Sequence, residues 1–334
     1  MKKTIALTMG DPLGIGPEIV ALTLADPEVN DVCRPLAVGN RKIIDLAAAR
    51  RGIGDFEERF GQNIIDVELY APGFDADQDN IDSLISGHAG TVQAFAGQHA
   101  YDCIERAHEL CASGAAAAVA TAPINKEALR AAGVPFIGHT EIFGALTATP
   151  DPLTMFETDG LRVFFLTRHV SLRQACDLVT RERLLDYIDR ALAALKQLGV
   201  NITAEKPLAV AGLNPHSGEH GLFGTEEVEI IAPAVEKART EGLPVAGPIG
   251  ADSVFHLAHK GNFAAVLSLY HDQGHIATKT LDFERTISLT LGMPYLRTSV
   301  DHGTAFDIAW QNKASPVSMR EAVLLAAKYS ANLQ

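Results

Sequence analysis

Short apolar runs alternate with longer amphipathic segments along this chain. The apolar runs have the length of buried strands, and they include residues 4–8, 117–121, 163–167, 208–212 and 264–268. The amphipathic segments predict helices that include residues 17–25, 91–112, 181–199 and 225–241. Because strands and helices alternate, the pattern predicts an α/β fold.

Polar loops follow several of the predicted strands. These loops lie at residues 121–126, 167–169, 212–216 and 270–274. In open α/β sheets, ligands bind beyond the carboxyl ends of the strands. We therefore expect these loops to build a ligand site.

The length and composition of the chain indicate two globular domains. Its 334 residues exceed the roughly 250–300 residues at which a single hydrophobic core stops growing. With 47% hydrophobic and 21% charged residues, the chain has ample material for two cores.

Charge, hydropathy and cysteine usage narrow the functional classes. A formal net charge of −13 argues against a nucleic-acid partner, since phosphate contacts need clustered Lys and Arg. No apolar stretch reaches the ~18 residues of a membrane span, and the apolar run after Lys3 stops at Gly10, too soon for a signal peptide. The four cysteines show no C-x-x-C spacing and are interpreted as reduced thiols. We therefore expect a cytoplasmic protein without a nucleic-acid or membrane partner.

Three histidines each stand at a predicted strand-to-loop break, namely His169, His216 and His271. Neutral imidazole is a favoured ligand for zinc and other borderline divalent metals, and three protein ligands leave a position open for substrate. The set therefore suggests a mononuclear catalytic metal site. The alternative is that each histidine is a separate, partly buried and hydrogen-bonded residue, since spacing in sequence does not show that the three converge.

Two familiar motifs match only in part. The segment GDPLGIGPE at residues 10–18 follows a strand and opens a helix, but a dinucleotide fingerprint requires a third glycine where this chain has Ile19. A plain glycine turn and a ligand loop both stay open for this segment. The segment HSGEH at residues 216–220 fits an inverted zinc-protease pattern that needs a helix, whereas Pro215 and Gly218 favour a loop. We therefore predict neither a standard Rossmann site nor a zinc protease, and we expect His220 to be exposed.

Anion binding has its own candidate residues. Lys279 and Arg297 offer an ammonium and a guanidinium that can share a phosphate or carboxylate. The alternative is that both are ordinary solvated charges. His139 and Thr140 suit a polar ligand, although Thr140 could equally be a helix cap.

Five segments together resemble the 4-hydroxythreonine-4-phosphate dehydrogenase family of vitamin B6 biosynthesis. They read TMGDPLGIGPE at 8–18, GHT at 138–140, GLNPHSGE at 212–219, YHDQG at 270–274 and RTSVDHGT at 297–304. Any one of them is weak, but as a set they are specific. The family is related in fold to isocitrate and isopropylmalate dehydrogenases, to which residues 14–18 and 302–309 are also similar.

The resemblance implies two α/β/α domains with a cleft between them, as in isocitrate and isopropylmalate dehydrogenases. Residues 1–130 and 290–334 would form the first domain with the cofactor loop, because the C-terminal segment returns to it in related folds. Residues 131–289 would form the second domain, with the metal and substrate ligands and the dimer contacts. The enzyme would be a homodimer whose active site lies in the cleft at the subunit interface.

The resemblance also implies roles for individual residues. His169, His216 and His271 would bind one divalent metal with ligands from both subunits; zinc fits best, with cobalt, magnesium, nickel and manganese as alternatives. Substrate would contact His139, Thr140, Lys279, Ser288 and Arg297. The adenosine of NAD or NADP would bind to His302, Gly303, Thr304, Ala305 and Asp307. The general base would be Lys279, Asp252 or Asp272.

The implied reaction is the metal-dependent oxidation and decarboxylation of a 4-phosphorylated 3-hydroxy acid. The first expectation is conversion of 4-hydroxy-L-threonine 4-phosphate to 3-amino-2-oxopropyl phosphate. However, Ser288 replaces an asparagine that is usual in the family, and a hydroxyl cannot make the paired contacts of an amide. His275 and residues 305–310 resemble the branch that acts on D-threonate or D-erythronate 4-phosphate, so this substrate is the alternative.

Other classes of function stay open on the sequence. A metal-dependent hydrolase would use the same three histidines to activate water without a nicotinamide cofactor. An acyl-phosphate transferase would need the anion site but no metal, and a catalytically silent sugar-phosphate-binding protein would need only Lys279 and Arg297. Metal content and cofactor binding distinguish these classes.

Overall fold

Buried apolar strands alternate with helices in the structure, which is a computed structural model that describes residues 2–74 and 80–333. The chain divides into two units, one of Met1–Pro152 with Met293–Gln334 and the other of Leu153–Gly292. In the described ranges, no helix combines the length and the apolar character needed to cross a membrane.

The first unit contains the elements up to residue 152. They are β1 (Thr4–Thr8), α1 (Gly16–Leu24), α2 (Pro27–Val32), β2 (Arg34–Gly39), α3 (Arg41–Arg50), α4 (Phe56–Phe60), β3 (Ile64–Asp66), α5 (Ile81–His88), α6 (Ala94–Ala112), β4 (Ala118–Thr121), α7 (Lys126–Ala131) and α8 (His139–Leu146).

The second unit follows along the chain. Its elements are β5 (Leu153–Thr158), β6 (Leu161–Phe165), α9 (Leu172–Asp177), α10 (Arg181–Gln197), β7 (Leu208–Ala211), a helical turn at Pro215–Gly221, a π-helical turn at Glu227–Ile231, α11 (Ala232–Thr240), β8 (Val245–Ile249), α12 (Ala251–His259), β9 (Ala265–Ser268), α13 (His271–Leu281) and β10 (Ile287–Leu291). The chain then returns to the first unit with β11 (Leu296–Val300) and α14 (Val317–Ser330).

The sheet of the first unit is parallel. Strands β3, β2, β1, β4 and β11 lie side by side in that order. Thr121 is in register with both Thr8 and Ser299, so the carboxyl ends of the three central strands lie at one edge. Helices cover the apolar strands, as a parallel sheet requires, and Ile104 and Leu129 belong to the buried cluster on one face.

The sheet of the second unit is mixed. Its strands follow the order β10, β5, β6, β9, β7 and β8. Strand β5 is antiparallel to both of its neighbours, whereas β6, β9, β7 and β8 are parallel to one another. The loops that leave β6, β9 and β7 therefore start from the same edge of the sheet.

The α/β prediction is confirmed, and each predicted strand is present with bounds that agree within two residues. The predicted helix at 225–241 differs, because it begins with the π-helical turn before α11. Pro233 lies in the first turn of α11 and has no N–H to donate to the carbonyl four residues earlier. The wider π-helical turn before it is consistent with this missing hydrogen bond.

The boundary between the units lies at residue 152 instead of residue 130. Residues 131–152, assigned to the second domain from the sequence, belong to the first unit. The physical reason is the packing of α8, which buries Ile142 and Phe143 in the same cluster as Cys103 and Leu129. Likewise, the return to the first unit starts at Met293 and not at residue 290.

Candidate functional site

Each of the three candidate metal ligands follows a parallel strand of the second unit. His169 comes four residues after the end of β6, His216 five residues after β7 and His271 three residues after β9. His169 and His216 are exposed, and His271 is half-buried as the first residue of α13. All three therefore lie where ligands bind in such sheets.

His169 and His271 are neighbours. Their ring centroids lie 6.0 Å apart. Both rings line a cavity of about 330 Å³, together with Arg168, Val170, Leu172, Ala175, Tyr270 and Asp272. Val170 and Leu172 are exposed, so one side of this cavity is an apolar surface.

The Asp272 carboxylate fixes the orientation of the His271 ring. The Nδ1 atom of His271 lies 2.6 Å from Oδ1 of Asp272. An ionised carboxylate only accepts hydrogen bonds, so Nδ1 donates this bond, which in a neutral imidazole leaves the lone pair on Nε2. A ring held in this way suits a divalent metal, because metal-bound histidines usually donate their second N–H to a carboxylate or carbonyl.

His216 lies in a turn with an unusual backbone. Residues 216–220 all have positive φ angles, from 42° at Glu219 to 77° at Gly218. Their conformation is left-handed, so His216 and His220 are not placed on one face of an ordinary α-helix as the protease motif requires. Each non-glycine residue in this conformation costs roughly 1 kcal/mol, which packing around the turn must offset. His220 is exposed, as predicted.

The described part of one chain does not assemble a complete metal site. Across residues 2–74 and 80–333, no three His, Cys, Asp or Glu side chains form a group that could hold a metal ion. The structure brings His169 and His271 together, and it places His216 on a neighbouring strand end. The resemblance implies ligands from two subunits, so a single chain would present the set in parts.

His275 is a fourth histidine beside this pair. Its ring stacks on His271 at 3.9 Å between centroids and 17° between planes. Its ring also contacts the rings of Phe156 and Phe165, at 4.4 and 4.7 Å between centroids. Burial and then the nearby His271 and Lys279 lower the pKa of His275 to about 3, so the ring is neutral at pH 7. The spacing of four residues between His271 and His275 was the available sequence signal, because it places both on one face of a helix.

Lys279 and Ser288 are the two predicted substrate residues of the second unit. Lys279 is eight residues after His271 on α13, and its ammonium lies 5.2 Å from the centroid of the Phe283 ring. Ser288 of β10 pairs with Phe156 of β5, the residue whose ring contacts His275. The structure thus relates both predicted substrate residues of this unit to His275: Lys279 through its charge, and Ser288 through the pairing with Phe156.

The two acidic candidates for the general base differ in their surroundings. Asp272 is hydrogen-bonded to His271, so its carboxylate orients that ring. Asp252 lies exposed in the first turn of α12. The assignment of the base among Asp252, Asp272 and Lys279 stays a prediction.

Arg297 forms a buried cationic centre in the first unit. Its side chain is 4% exposed, and its Nε and Nη2 atoms donate to Thr121 Oγ1 at 3.2 and 2.9 Å. Burial lowers the pKa of Arg297 to about 9, and the Glu141 carboxylate opposes this shift. The guanidinium therefore keeps its charge at pH 7, where it can bind an anion.

His139 lies beside Arg297 at the start of α8. The rings of His139 and Phe143 stack at 6.4 Å, and the Arg297 guanidinium lies 5.6 Å from the same Phe143 ring. Burial and then the Arg297 charge hold the pKa of His139 well below its usual value, so His139 is neutral. His139 Nε2 is buried and has no hydrogen-bond partner among the described residues. Together with half-buried Thr140, these groups suit a polar, anionic ligand.

The predicted cofactor loop packs against the N-terminal glycine turn. The backbone N–H of Ile15 donates to the Thr304 carbonyl at 3.1 Å. A Cβ atom on Gly14 would lie 2.9 Å from the Thr304 Cβ, so this position needs glycine. Thr304 is buried, His302 and Ala305 are half-buried, and Gly303 and Asp307 are exposed. The backbone of the glycine turn at Gly14 and Ile15 thus packs directly against Thr304 of the predicted cofactor loop.

Comparisons with known proteins identify the family of this chain. Residues 31–326 match the family model described as "Pyridoxal phosphate biosynthetic protein PdxA". A Clostridium botulinum protein named "Putative D-threonate 4-phosphate dehydrogenase" is 55% identical over 337 residues, which cover 98% of this chain and 97% of that protein. A Symbiobacterium thermophilum protein of the same name is also 55% identical, over 331 residues, with coverage of 98% and 96%.

A solved structure is similar along almost the whole chain. The 4-hydroxythreonine-4-phosphate dehydrogenase of Klebsiella pneumoniae is 40% identical and superposes with a TM-score of 0.82. The match covers 98% of this chain and 99% of that one. The chain therefore belongs to the PdxA family of pyridoxal phosphate biosynthetic proteins and is an enzyme of the oxidoreductase class.

Proposed function

We propose that this enzyme uses NAD or NADP and one divalent metal to oxidise the 3-hydroxyl of a four-carbon hydroxy acid 4-phosphate. The first candidate substrate is D-threonate 4-phosphate. Its oxidation gives a 3-keto acid, which then loses carbon dioxide. The observation that carries the proposal is the His271 ring, fixed by Asp272 and facing His169 in one cavity of a dehydrogenase-family chain.

His169, His216 and His271 would hold the metal. The fixed Nδ1–H of His271 and the nearby imidazole of His169 suit zinc, cobalt, nickel or manganese, and magnesium less well. A divalent metal bound there would acidify the substrate hydroxyl and stabilise negative charge on oxygen. Exposure of His169 and His216 and the apolar Val170 and Leu172 support a homodimer that completes the site.

The anionic groups of the substrate would bind to basic and polar side chains. Arg297 is buried and charged, and neutral His139 and Thr140 beside it offer hydrogen bonds. Lys279, on the same helix as His271, would bind a second anionic group or accept the hydroxyl proton. The proposed substrate carries two anionic groups, a carboxylate and a phosphate.

The chemistry balances over two steps. The hydroxyl proton passes to a base, with Lys279, Asp252 and Asp272 as candidates, while the hydride from C3 passes to the nicotinamide. The carboxylate then leaves as carbon dioxide, the electrons of that bond pass to the adjacent keto group as an enolate, and C2 takes up a proton to give the ketone. Residues 302–307 would hold the adenosine end of the cofactor. We also propose a cytoplasmic location, where nicotinamide cofactors and phosphorylated metabolites occur.

4-Hydroxy-L-threonine 4-phosphate is the second candidate substrate. The Klebsiella pneumoniae relative, with 40% identity, is named as a 4-hydroxythreonine-4-phosphate dehydrogenase. The relatives with 55% identity are named as D-threonate 4-phosphate dehydrogenases. The two substrates differ at C2, which bears an amine in one and a hydroxyl in the other. Because this chain is more similar to the second group along nearly its whole length, we favour D-threonate 4-phosphate, which bears a hydroxyl at C2.

The test is nicotinamide reduction with the two substrates side by side, with NAD and NADP, before and after chelation. We expect faster turnover of D-threonate 4-phosphate, loss of turnover on chelation and recovery on addition of zinc, cobalt or manganese. Faster turnover of 4-hydroxy-L-threonine 4-phosphate would reverse the substrate order. No reduction of either cofactor by metal-loaded enzyme would reject the proposed reaction and favour the hydrolase alternative.

A further inference from the structure

Glu227 is a buried carboxylate at the centre of the left-handed turn that carries His216. Its side chain is 2% exposed. Its Oε1 atom accepts hydrogen bonds from the backbone N–H groups of Leu213 and Asn214, both at 2.7 Å. Its Oε2 atom accepts a third from the Asn214 side-chain amide at 2.8 Å. Three donors that precede His216 are thus satisfied by one side chain.

The turn closes around this carboxylate. A Cβ atom on Gly218 would lie 2.8 Å from Glu227 Oε2, so only glycine leaves room for the carboxylate there. The residues from His216 to His220 all keep positive φ angles, a conformation that an isolated chain abandons readily. The hydrogen bonds of Glu227 therefore help to hold the turn in place, together with backbone bonds such as that from the Phe223 N–H to the Gly218 carbonyl.

We propose that Glu227 is a positioning residue that fixes His216 for metal binding. This inference rests on the proposed function, in which His216 is a metal ligand. Glu227 acts through the backbone of Leu213 and Asn214 and does not itself touch the metal. Its role holds whether the three histidines come from one chain or from two, because every one of these contacts lies within one chain.

The geometry requires a carboxylate at this position. The carboxylate of Glu227 accepts all three of these hydrogen bonds, and it offers acceptors on both oxygens. A glutamine would turn an N–H₂ group towards one of these donors. Asn214 cannot easily rotate to compensate, because its Nδ2 atom also donates to Glu226 Oε2 at 2.7 Å. After rotation, the Asn214 oxygen would face the Glu226 carboxylate.

The neighbouring Glu226 supplies a matched control. It is half-buried, and it accepts a hydrogen bond from the Asn214 side chain, which a glutamine oxygen can also accept. Glu226→Gln and Glu227→Gln therefore remove the same charge from adjacent positions. Glu227→Gln alone sets an N–H₂ group against one of the three donors in the segment that leads to His216.

The experiment measures Co²⁺ binding by the visible absorption of the bound ion, with competition by Zn²⁺, on full-length protein. Changes to groups that orient metal ligands typically weaken metal affinity by about 10–100-fold. We expect this loss for Glu227→Gln at an unchanged melting temperature, and less than about threefold for Glu226→Gln. In a His216→Ala background, Glu227→Gln should cause no further loss, since its effect acts through that ring.

The outcomes separate the inference from the proposed function. If the wild-type protein binds no Co²⁺, the metal site and with it the inference are rejected. If the wild type binds Co²⁺ and folded Glu227→Gln binds it equally well, only the role of Glu227 is rejected. Should Glu227→Gln fail to fold, Asn214→Ala decides, because it removes the side-chain bond to Glu227 and spares the backbone bonds. At least threefold weaker binding by Asn214→Ala than by Glu226→Gln supports the role, and equal affinities overturn it.

Discussion

The side-chain amide of Gln273 donates a hydrogen bond to the carbonyl oxygen of Gly212 at 2.8 Å. Its own carbonyl oxygen accepts one from the backbone N–H of Leu269 at 2.7 Å. Thr167 Oγ1 donates to the Leu269 carbonyl at 2.8 Å. These buried bonds join the strand ends that precede His169, His216 and His271.

Replacement of Gln273 by leucine should loosen this connection. The carbonyl of Gly212 and the N–H of Leu269 would lose their partners in a buried place, and each such loss costs about 1–3 kcal/mol. We expect the free energy of unfolding to fall by about 2–4 kcal/mol in urea titrations. Gln197→Leu, at an exposed site of the same unit, is the control and should change it by less than about 0.5 kcal/mol. Equal stabilities of the two variants would contradict the proposed importance of the link.

His216→Ala should leave the protein folded and remove both metal and turnover. His216 is exposed, so its loss creates no cavity, whereas a metal site with one ligand fewer binds far more weakly. We expect a fall in metal affinity of more than about a hundredfold, beyond the effect of groups that merely orient ligands. His220→Ala, an exposed histidine of the same left-handed turn, is the matched control and should keep metal and activity. Full activity of His216→Ala would show that His216 is not a ligand of a catalytic metal.

Arg297→Lys should weaken substrate binding more than it slows the chemical step. Lysine keeps the charge but lacks the planar fork, and a hydrogen bond to a charged group contributes about 1.5–3 kcal/mol. At about 1.4 kcal/mol per tenfold, we expect KM for the phosphorylated substrate to rise by about 10–100-fold. Arg106→Lys, on the surface of the same unit, should leave KM unchanged. An unaltered KM in Arg297→Lys would remove Arg297 from the substrate site.

Asp11 should make folding stability depend on pH between about 4 and 6. Burial raises the pKa of Asp11 to about 6 from its usual 3.8, although the backbone N–H groups of Leu13 and Gly14 lower it. Because the pKa is higher in the folded chain, folding favours the protonated form. This contribution is present in full below pH 3.8 and is lost as the pH rises through about 6.

Asp11→Asn tests this dependence, because asparagine stays neutral and its oxygen can still accept from Leu13 N–H. We expect the difference in unfolding free energy between variant and wild type to grow in favour of the variant from pH 4 to pH 7. A shift of two pKa units sets an upper bound of about 3 kcal/mol. Other titrating groups cancel in this difference. A difference that stays constant with pH would show that Asp11 titrates normally.

Local sequence determined much of the fold. Apolar runs as short as the four residues of β7 were enough to place the strands within two residues. The reason is that a parallel strand is buried on both faces and therefore appears in the sequence as a continuous apolar run. Pro215 and Gly218 were enough to exclude a helix at His216, since both act on their own backbone. The polar residues after these apolar runs marked the strand ends at which the structure places His169, His216 and His271.

The tertiary structure alone decided which side chains act together. Gln273 reaches Gly212 across 61 residues, Arg297 reaches Thr121 across 176, and Glu227 reaches the loop before His216 from a separate helical turn. Nothing in the local sequence distinguishes these residues from solvated amides, guanidiniums and carboxylates. Their roles follow from burial, since a buried polar group must find a partner and the fold determines which partner is within reach.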